Sequence, residues 1–343
     1  ADAADAAPVA PFFLTNNRGK KSVTLDLRTR QGHEQALALV ETADVFLEAF
    51  RPGVLQRLGL GPEQVRARNP RCVYASLTAY GDGGPNGRRP GVDLMVQAES
   101  GALTGLRDGD GSPLPIAFQF IDGASGHVLA QSVLAALLQR ERHGVPEVIK
   151  VSLYDVACSL QSAHLTMMLN ETPAPPRPRA EPPRPTAGMP LAASPSGIFA
   201  AADGHLVLAA YVPKHWEILC AVLDRGDLAE DPRFTDAAAR SRNNAALAEE
   251  LSATFATRPA AEWVARLQDA GLMACRVLHW REVVTSDLFG ESRVAARAGD
   301  ATVIRTPARY STFEPAATDP PPALGEHNDE LLRDGHRRAE VAR

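Results

Sequence analysis

DVFLEAFRPGVLQRLGLGPEQVRARNPRCVYASLT, residues 44–78, decides the fold. It opens on a strand-like apolar run, DVFLEAF (44–50), passes through a proline-started helix from Pro62 to Asn69, and closes on a second such run, VYASLT (73–78). Proline is tolerated in the first helical turn because the N–H it lacks would have no intrahelical partner there. Two strands separated by a helix pair in parallel through a right-handed crossover, so the stretch predicts an open, parallel, Rossmann-like α/β sheet.

The alternation continues on both sides. SVTLDL (22–27) alternates polar and apolar residues as a strand does, and residues 31–42 bring Ala36, Leu39 and Val40 to helical spacing. A helix from about Ser125 to His143 carries Val128, Leu129, Val133, Leu134, Leu137 and Leu138. It is apolar around much of its girth and should be buried. A strand, VIKVSL (148–153), and a helix from Asp155 complete this half.

ETPAPPRPRAEPPRPTAGMP (171–190) is dense in proline and basic residues, which excludes helix and central strand and marks an extended linker. Beyond it, GIFAAADGHLVLAA (197–210) reads as a hairpin with Asp203 and Gly204 in its turn. Helical segments follow at 213–223, 243–256 and 260–270, and the chain ends on a strand and a helix between TVIRTPARYS and LGEHNDELLRDG. The expected organisation is a lead-in at 1–11, a large α/β domain at 12–170 and a linker at 171–194. A smaller α+β domain follows at 195–295, and 296–343 returns to the large domain.

Composition sets outer bounds. The 343 residues are 45% hydrophobic and 22% charged, an ordinary globular balance. A net charge of −5 without a basic stripe argues against nucleic acid as a partner. Cys72, Cys158, Cys220 and Cys275 are scattered, a pattern that fits reduced thiols in a cytoplasm and offers no metal site. No apolar stretch reaches the ~20 residues that span a bilayer, so no membrane partner is expected. ADAADAAPVAP at the start lacks the basic and apolar regions of a signal peptide and reads as a disordered lead-in or linker.

In an open parallel sheet, ligands bind beyond the carboxyl ends of the strands. NNRGKKS (16–22) offers Arg18, Lys20 and Lys21 to a phosphate, or is simply a solvated basic loop. EAFRPG (48–53) holds Arg51 on a corner stiffened by Pro52 and Gly53, with Arg57 one turn on, unless it is a structural turn with a surface arginine. The long glycine-rich loop TAYGDGGPNGRRPGVD (78–93) carries Arg88, Arg89 and Asp93. Finally, FQFIDGASGH (118–127) sets Asp122 at the entrance to the apolar helix, where an aspartate is a natural N-cap. Gly123, Ala124, Ser125 and Gly126 keep the surroundings of that carboxylate small enough for something bulky to approach. The N–H groups at a helix start would keep Asp122 ionised, hence nucleophilic, and could steady an oxyanion.

Taken in order, these segments resemble the class III coenzyme A transferases, the family of formyl-CoA transferase, carnitine CoA-transferase and α-methylacyl-CoA racemase. NRGKKSVTLDL, EAFRPGVLQRLGLG, NPRCVYASLTAYGDGGP and RPGVDLMVQAESGALTG carry the resemblance. So do IDGASGHVLAQSVLAALLQRERHG with VSLYD, SGIFAAADGHLVLAA and LGEHNDELL, and the match runs from about residue 12 to 333. The resemblance implies a nucleophilic carboxylate at Asp122, with Asp93 in support. It implies coenzyme A, delivered as an acyl-CoA substrate, contacted by Lys20, Phe50, Arg51 and Arg57, with Arg89 a further candidate. Ala49 stands where the family has asparagine, which removes one polar contact.

The implied chemistry moves CoA between carboxylic acids through an acyl–aspartyl anhydride and an aspartyl-CoA thioester. Intramolecular CoA transfer within one acyl-CoA would use the same aspartate. Racemisation is disfavoured, because Val92 occupies the position of the racemase histidine and cannot shuttle a proton. PLAASPSG lacks the glycine run of formyl-CoA transferase, against formate or oxalate as substrate. The resemblance also implies an interlocked homodimer and a first strand–helix–strand unit, nothing like which precedes Pro11. A shortened chain, or a non-catalytic CoA-binding paralogue, is the expectation that follows. A nicotinamide-dependent dehydrogenase is the remaining alternative for a doubly wound pattern, and no G-x-G-x-x-G follows a strand to support it.

Overall fold

The computed structural model describes residues 10–106, 108, 110–170, 194–313 and 319–332; the linker and both chain ends predicted above lie largely outside them. The described residues separate into two compact units. One is drawn from Ala1–Arg107, Ser112–Pro175 and Arg293–Arg343, the other from Asp108–Gly111 and Pro176–Ser292.

The first unit contains α1 (Pro11–Asn16), α2 (Arg30–Glu41), α3 (Val54–Arg57), α4 (Pro62–Arg68), α5 (Asp93–Glu99), α6 (Phe120–His143), α7 (Leu153–Leu160) and α8 (Ser162–Asn170). Its sheet joins β1 (Val45–Glu48), β2 (Val73–Thr78) and β3 (Val148–Ser152), all parallel, in the order β1-β2-β3. The stretch 44–78 therefore folds as a strand–helix–strand crossover. Asn69, just past α4, locks it: its side-chain amide donates to the carbonyls of Val40, Glu41 and Ala43 at 2.9, 3.2 and 2.9 Å. Val40 and Glu41 close α2 and Ala43 lies just beyond it, where helical carbonyls run out of i+4 partners. Val40, Val65, Cys72 and Tyr74 close the core between α2, α4 and β2.

SVTLDL forms no strand. Its backbone groups are claimed by the closing segment instead. Ser22 N–H donates to His327 Nδ1 at 3.2 Å, Thr24 N–H to Asn328 Oδ1 at 2.8 Å, and His327 N–H to the Ser22 carbonyl at 2.9 Å. An alternating pattern specifies a strand only where a neighbouring strand meets it, and here side chains took that place.

The apolar helix begins five residues before Ser125 and is buried on one side only. Leu129 and Ala136 face the interior, while Leu134 is 66% exposed and Leu138 51%. By length and composition α6 could cross a bilayer, contrary to the expectation above. Its inner face is nevertheless committed to the sheet, and near its end the buried Arg140 donates to Asp44 Oδ1 at 2.8 Å and to the Arg71 carbonyl at 3.1 Å. Gly144, in the left-handed region at φ 72°, ends the helix with its N–H on the Arg140 carbonyl.

The second unit holds an antiparallel sheet of β4 (Ser196–Ala201), β5 (Gly204–Ala209) and β6 (Met273–Arg276). The hairpin loop is Ala202-Asp203, so Gly204 already belongs to β5. Asp203 Oδ1 accepts from Ala260 N–H at 2.7 Å, which caps the helix Ala260–Asp269. Phe199, Leu208, Trp216, Phe234, Leu251, Phe255 and Trp263 belong to its core. A hairpin of β7 (Ala295–Ala298) and β8 (Ala301–Ile304) returns to the first unit.

Candidate active site

The carboxyl ends of β1, β2 and β3 release three turns, and the start of α6 arrives among them. Ile121 is fully buried in one cluster with Val96, Leu153 and Ala157, against Leu77, Ala79 and Tyr80 at the end of β2. That apolar anchor places Asp122, the next residue, at the edge where open parallel sheets take ligands.

Asp122 is not the cap of α6. The helix starts at Phe120, with Gln119 as N-cap, so Asp122 lies inside the first turn. The capping carboxylate is Asp93. Its Oδ2 accepts from the N–H groups of Ile121 and Asp122 at 2.8 and 3.0 Å. Its Oδ1 accepts from the side-chain amide of Gln97, whose own Oε1 accepts from Ile116 N–H at 3.0 Å. Asp93 and Gln97 are both buried, at the start of α5 and one turn on. The sequence placed Asp93 in a loop and passed over Gln97; an acid and an amide four residues apart on one helical face were the signal.

This arrangement reverses the expected electrostatics. The N–H groups of the first helical turn are occupied: Phe120 donates to the Phe118 carbonyl, Ile121 and Asp122 to Asp93, and Gly123 to the Gln119 carbonyl. None of these four is left to receive an oxyanion. Loss of water around that carboxylate raises its pKa above the ordinary aspartate value, and the charge of Asp93 raises it further. Asp122 nevertheless stays exposed to solvent. The result is a carboxylate more basic than usual, open to approach. A Cβ added at Gly123 or Gly126 would meet nothing within 4 Å, so the space on their side of α6 is free.

Phe50, Arg51 and Arg57 gather on the corner after β1. Gly53 has φ 83°, a left-handed conformation that folds the chain back so that Arg57 Nη1 lies 3.2 Å from where a Gly53 Cβ would be. Arg51 is exposed, and Phe50 presents half its surface while its N–H donates to Glu48 Oε2 at 2.8 Å. Lys20 is exposed as well, with its ammonium on Asn17 Oδ1 at 3.2 Å. Arg89 is committed elsewhere: it pairs with Glu99 and lies over the Tyr80 ring, 4.7 Å from its centre. The fold thus joins Asp93 to Asp122 and turns Arg57 back toward Gly53 on the corner that carries Phe50 and Arg51, and no hydrogen bond among the described residues links Lys20 or Arg89 to either group. Among the described residues, no cluster of three His, Cys, Asp or Glu side chains could hold a metal ion.

Residues 3–328 match the model of a family described as CoA-transferase family III. The chain is 52% identical, over 332 residues, to the probable fatty acyl-CoA transferase Rv3272 of Mycobacterium tuberculosis, covering 95% of this chain and 84% of that protein. It is 31% identical over 340 residues to a succinyl-CoA:mesaconate CoA-transferase of Haloarcula hispanica, covering 94% and 81%. Of solved structures, orthorhombic Rv3272 superposes with a TM-score of 0.84 at 50% identity over 96% of this chain and 86% of that one. A CAIB/BAIF family protein from Brucella suis does so with 0.81 at 28% identity, over 97% and 84%.

Proposed function

This chain belongs to CoA-transferase family III and is an enzyme that transfers CoA, and on that premise we propose that it moves CoA between carboxylic acids with Asp122 as the nucleophile. The observation that carries the proposal is the open, basic Asp122 carboxylate, seated at the carboxyl edge of the sheet by the buried Asp93. Its ionised oxygen attacks the thioester carbonyl of an acyl-CoA, forming an acyl–aspartyl anhydride as the C–S bond breaks and CoA thiolate departs. The thiolate then attacks the aspartyl carbonyl, giving an aspartyl-CoA thioester and releasing the first carboxylate. An acceptor carboxylate repeats the two steps in reverse, and Asp122 is regenerated. Each step exchanges one activated acyl group for another, so no external energy source enters. Asp93 anchors the start of the helix by accepting from the Ile121 and Asp122 amides. Val92 cannot carry a proton, which disfavours racemisation.

Arg51 and Arg57, with Phe50 and Lys20, supply cations and a flat apolar face suited to the phosphates and nucleotide of CoA. We also take the working unit to be a homodimer. The outward leucines of α6 and the exposed Met168 and Leu169 of α8 are the apolar surface that a second copy would cover. Sedimentation as a monomer at micromolar concentration would refute that part.

The test is intact-protein mass spectrometry after incubation with succinyl-CoA or acetyl-CoA. Wild type should gain a CoA-sized adduct that hydroxylamine removes, and Asp122→Ala should gain none while still binding CoA. An adduct that persists on Asp122→Ala, or none on wild type that binds CoA, removes Asp122 from the role.

A further inference from the structure

We propose that the cavity beside the β7–β8 hairpin is a binding site for a purine nucleotide, distinct from the Asp93–Asp122 site. The cavity measures about 350 Å³ and is lined by Arg293, Arg305 and Arg309, by Tyr310 and Phe313, and by three alanines. That volume lies at the lower end of the ~300–1,000 Å³ typical of small-molecule sites, the size for one nucleotide.

Its chemistry is one-sided. Among the described residues, three guanidinium groups line it and no carboxylate does. Among the described residues, no ion pair engages Arg293 or Arg305. A guanidinium offers a planar fork of donors that matches phosphate oxygens in pairs, so converging arginines select a phosphate over a singly charged acid.

The aromatic half selects a flat ring. Tyr310 and Phe313 stack with centroids 4.2 Å apart and planes 24° from parallel, and each residue is about half exposed (51% and 56%). A stacked pair with a free face accepts a third ring at the same spacing, and arginine beside that ring adds a cation–π contact.

The walls are fixed in place. Arg305 N–H donates to the Val294 carbonyl at 2.8 Å, which extends the hairpin ladder to the arginine itself. Arg293 holds φ 51°, a left-handed conformation uncommon away from glycine, and such strained residues concentrate at ligand clamps. Phosphate and purine together describe a nucleotide, from one of two sources: a free nucleotide, or the nucleotide end of a coenzyme A molecule.

The experiment is calorimetric titration of the full-length protein with ADP, with inorganic pyrophosphate and CoA as separate arms. ADP should bind wild type and Asp122→Ala alike, and at least tenfold more weakly to Arg305→Glu. Phe313→Leu, a milder change, should weaken ADP while leaving pyrophosphate unaffected. Unchanged thermal midpoints keep a folding defect from imitating these losses. If CoA does not displace ADP, the source is a free nucleotide. If CoA displaces it and Arg305→Glu raises the KM for acyl-CoA, the source is the coenzyme. The proposal is overturned if ADP fails to bind at millimolar concentration, if pyrophosphate binds as tightly as ADP, or if both variants bind ADP like wild type. None of these outcomes depends on Asp122, so the nucleophile assignment stands or falls separately.

Discussion

The backbone N–H of Asp122 donates to the side chain of Asp93, at 3.0 Å, across 29 residues of chain. The same carboxylate that starts helix α6 therefore stands beside the acid that α6 presents. Capping and electrostatics are coupled: what orders the helix also makes the neighbouring carboxylate harder to ionise.

Asp93→Asn should separate the two effects. Asparagine keeps an oxygen for the Ile121 and Asp122 amides but removes the charge. The pKa of Asp122 should then fall toward the ordinary value, and the acid limb of kcat/KM should move to lower pH. The plateau should drop, because a less basic carboxylate is a weaker nucleophile. A pH–rate profile checks this, and an unmoved limb would show that the charge of Asp93 is not felt.

Gln97→Leu should act through Asp93. It leaves the Asp93 Oδ1 and the Ile116 N–H without their partner, and buried groups so stranded cost ~1–3 kcal/mol each. Urea unfolding should report a loss of at least ~2 kcal/mol, the two lower limits together. In the surviving folded enzyme kcat should fall, while KM for acyl-CoA stays near wild type, since the corner after β1 is untouched. An equal change in both constants would make Gln97 a purely structural residue.

Asp122→Asn should stabilise the protein at neutral pH. A carboxylate whose pKa is raised on folding adds stability that is complete below its unfolded pKa and is lost as pH rises through the folded one. Replacing it removes that loss. The gain should be no more than ~1 kcal/mol, because solvent screens a partly exposed pair. It should vanish below the ordinary carboxylate range. Paired urea titrations at neutral and acid pH decide the point, and a variant destabilised at neutral pH would contradict it.

Gly53→Ala tests the arginine corner. A left-handed φ of 83° costs a non-glycine residue ~1–2 kcal/mol, and the new methyl would sit 3.2 Å from Arg57 Nη1. The guanidinium must swing away. KM for acyl-CoA should rise several-fold with kcat retained, as measured by steady-state kinetics; unaltered KM would remove Arg57 from CoA binding.

Much of this was legible before the fold. Short-range patterns carried β1, α4 and β2, because an apolar run, a proline at a helix start and an apolar period depend on neighbours within a turn. The corner at Gly53 was legible for the same reason. SVTLDL was misread because its pattern says only that one side is apolar, and not whether a strand or the His327–Asn328 segment will meet it. The girth of α6 misled similarly: Leu134 and Leu138 are apolar, yet nothing within the described chain covers them.

The sequence by itself determined which residues are capable of chemistry here: two acids, a row of cations and the glycines that leave room around Asp122. Only the tertiary structure decided their roles. A helix start must find acceptors for its N–H groups, and which carboxylate supplies them depends on what lies nearby in space. Asp93, from a different helix, reached them first, and so Asp122 was left open.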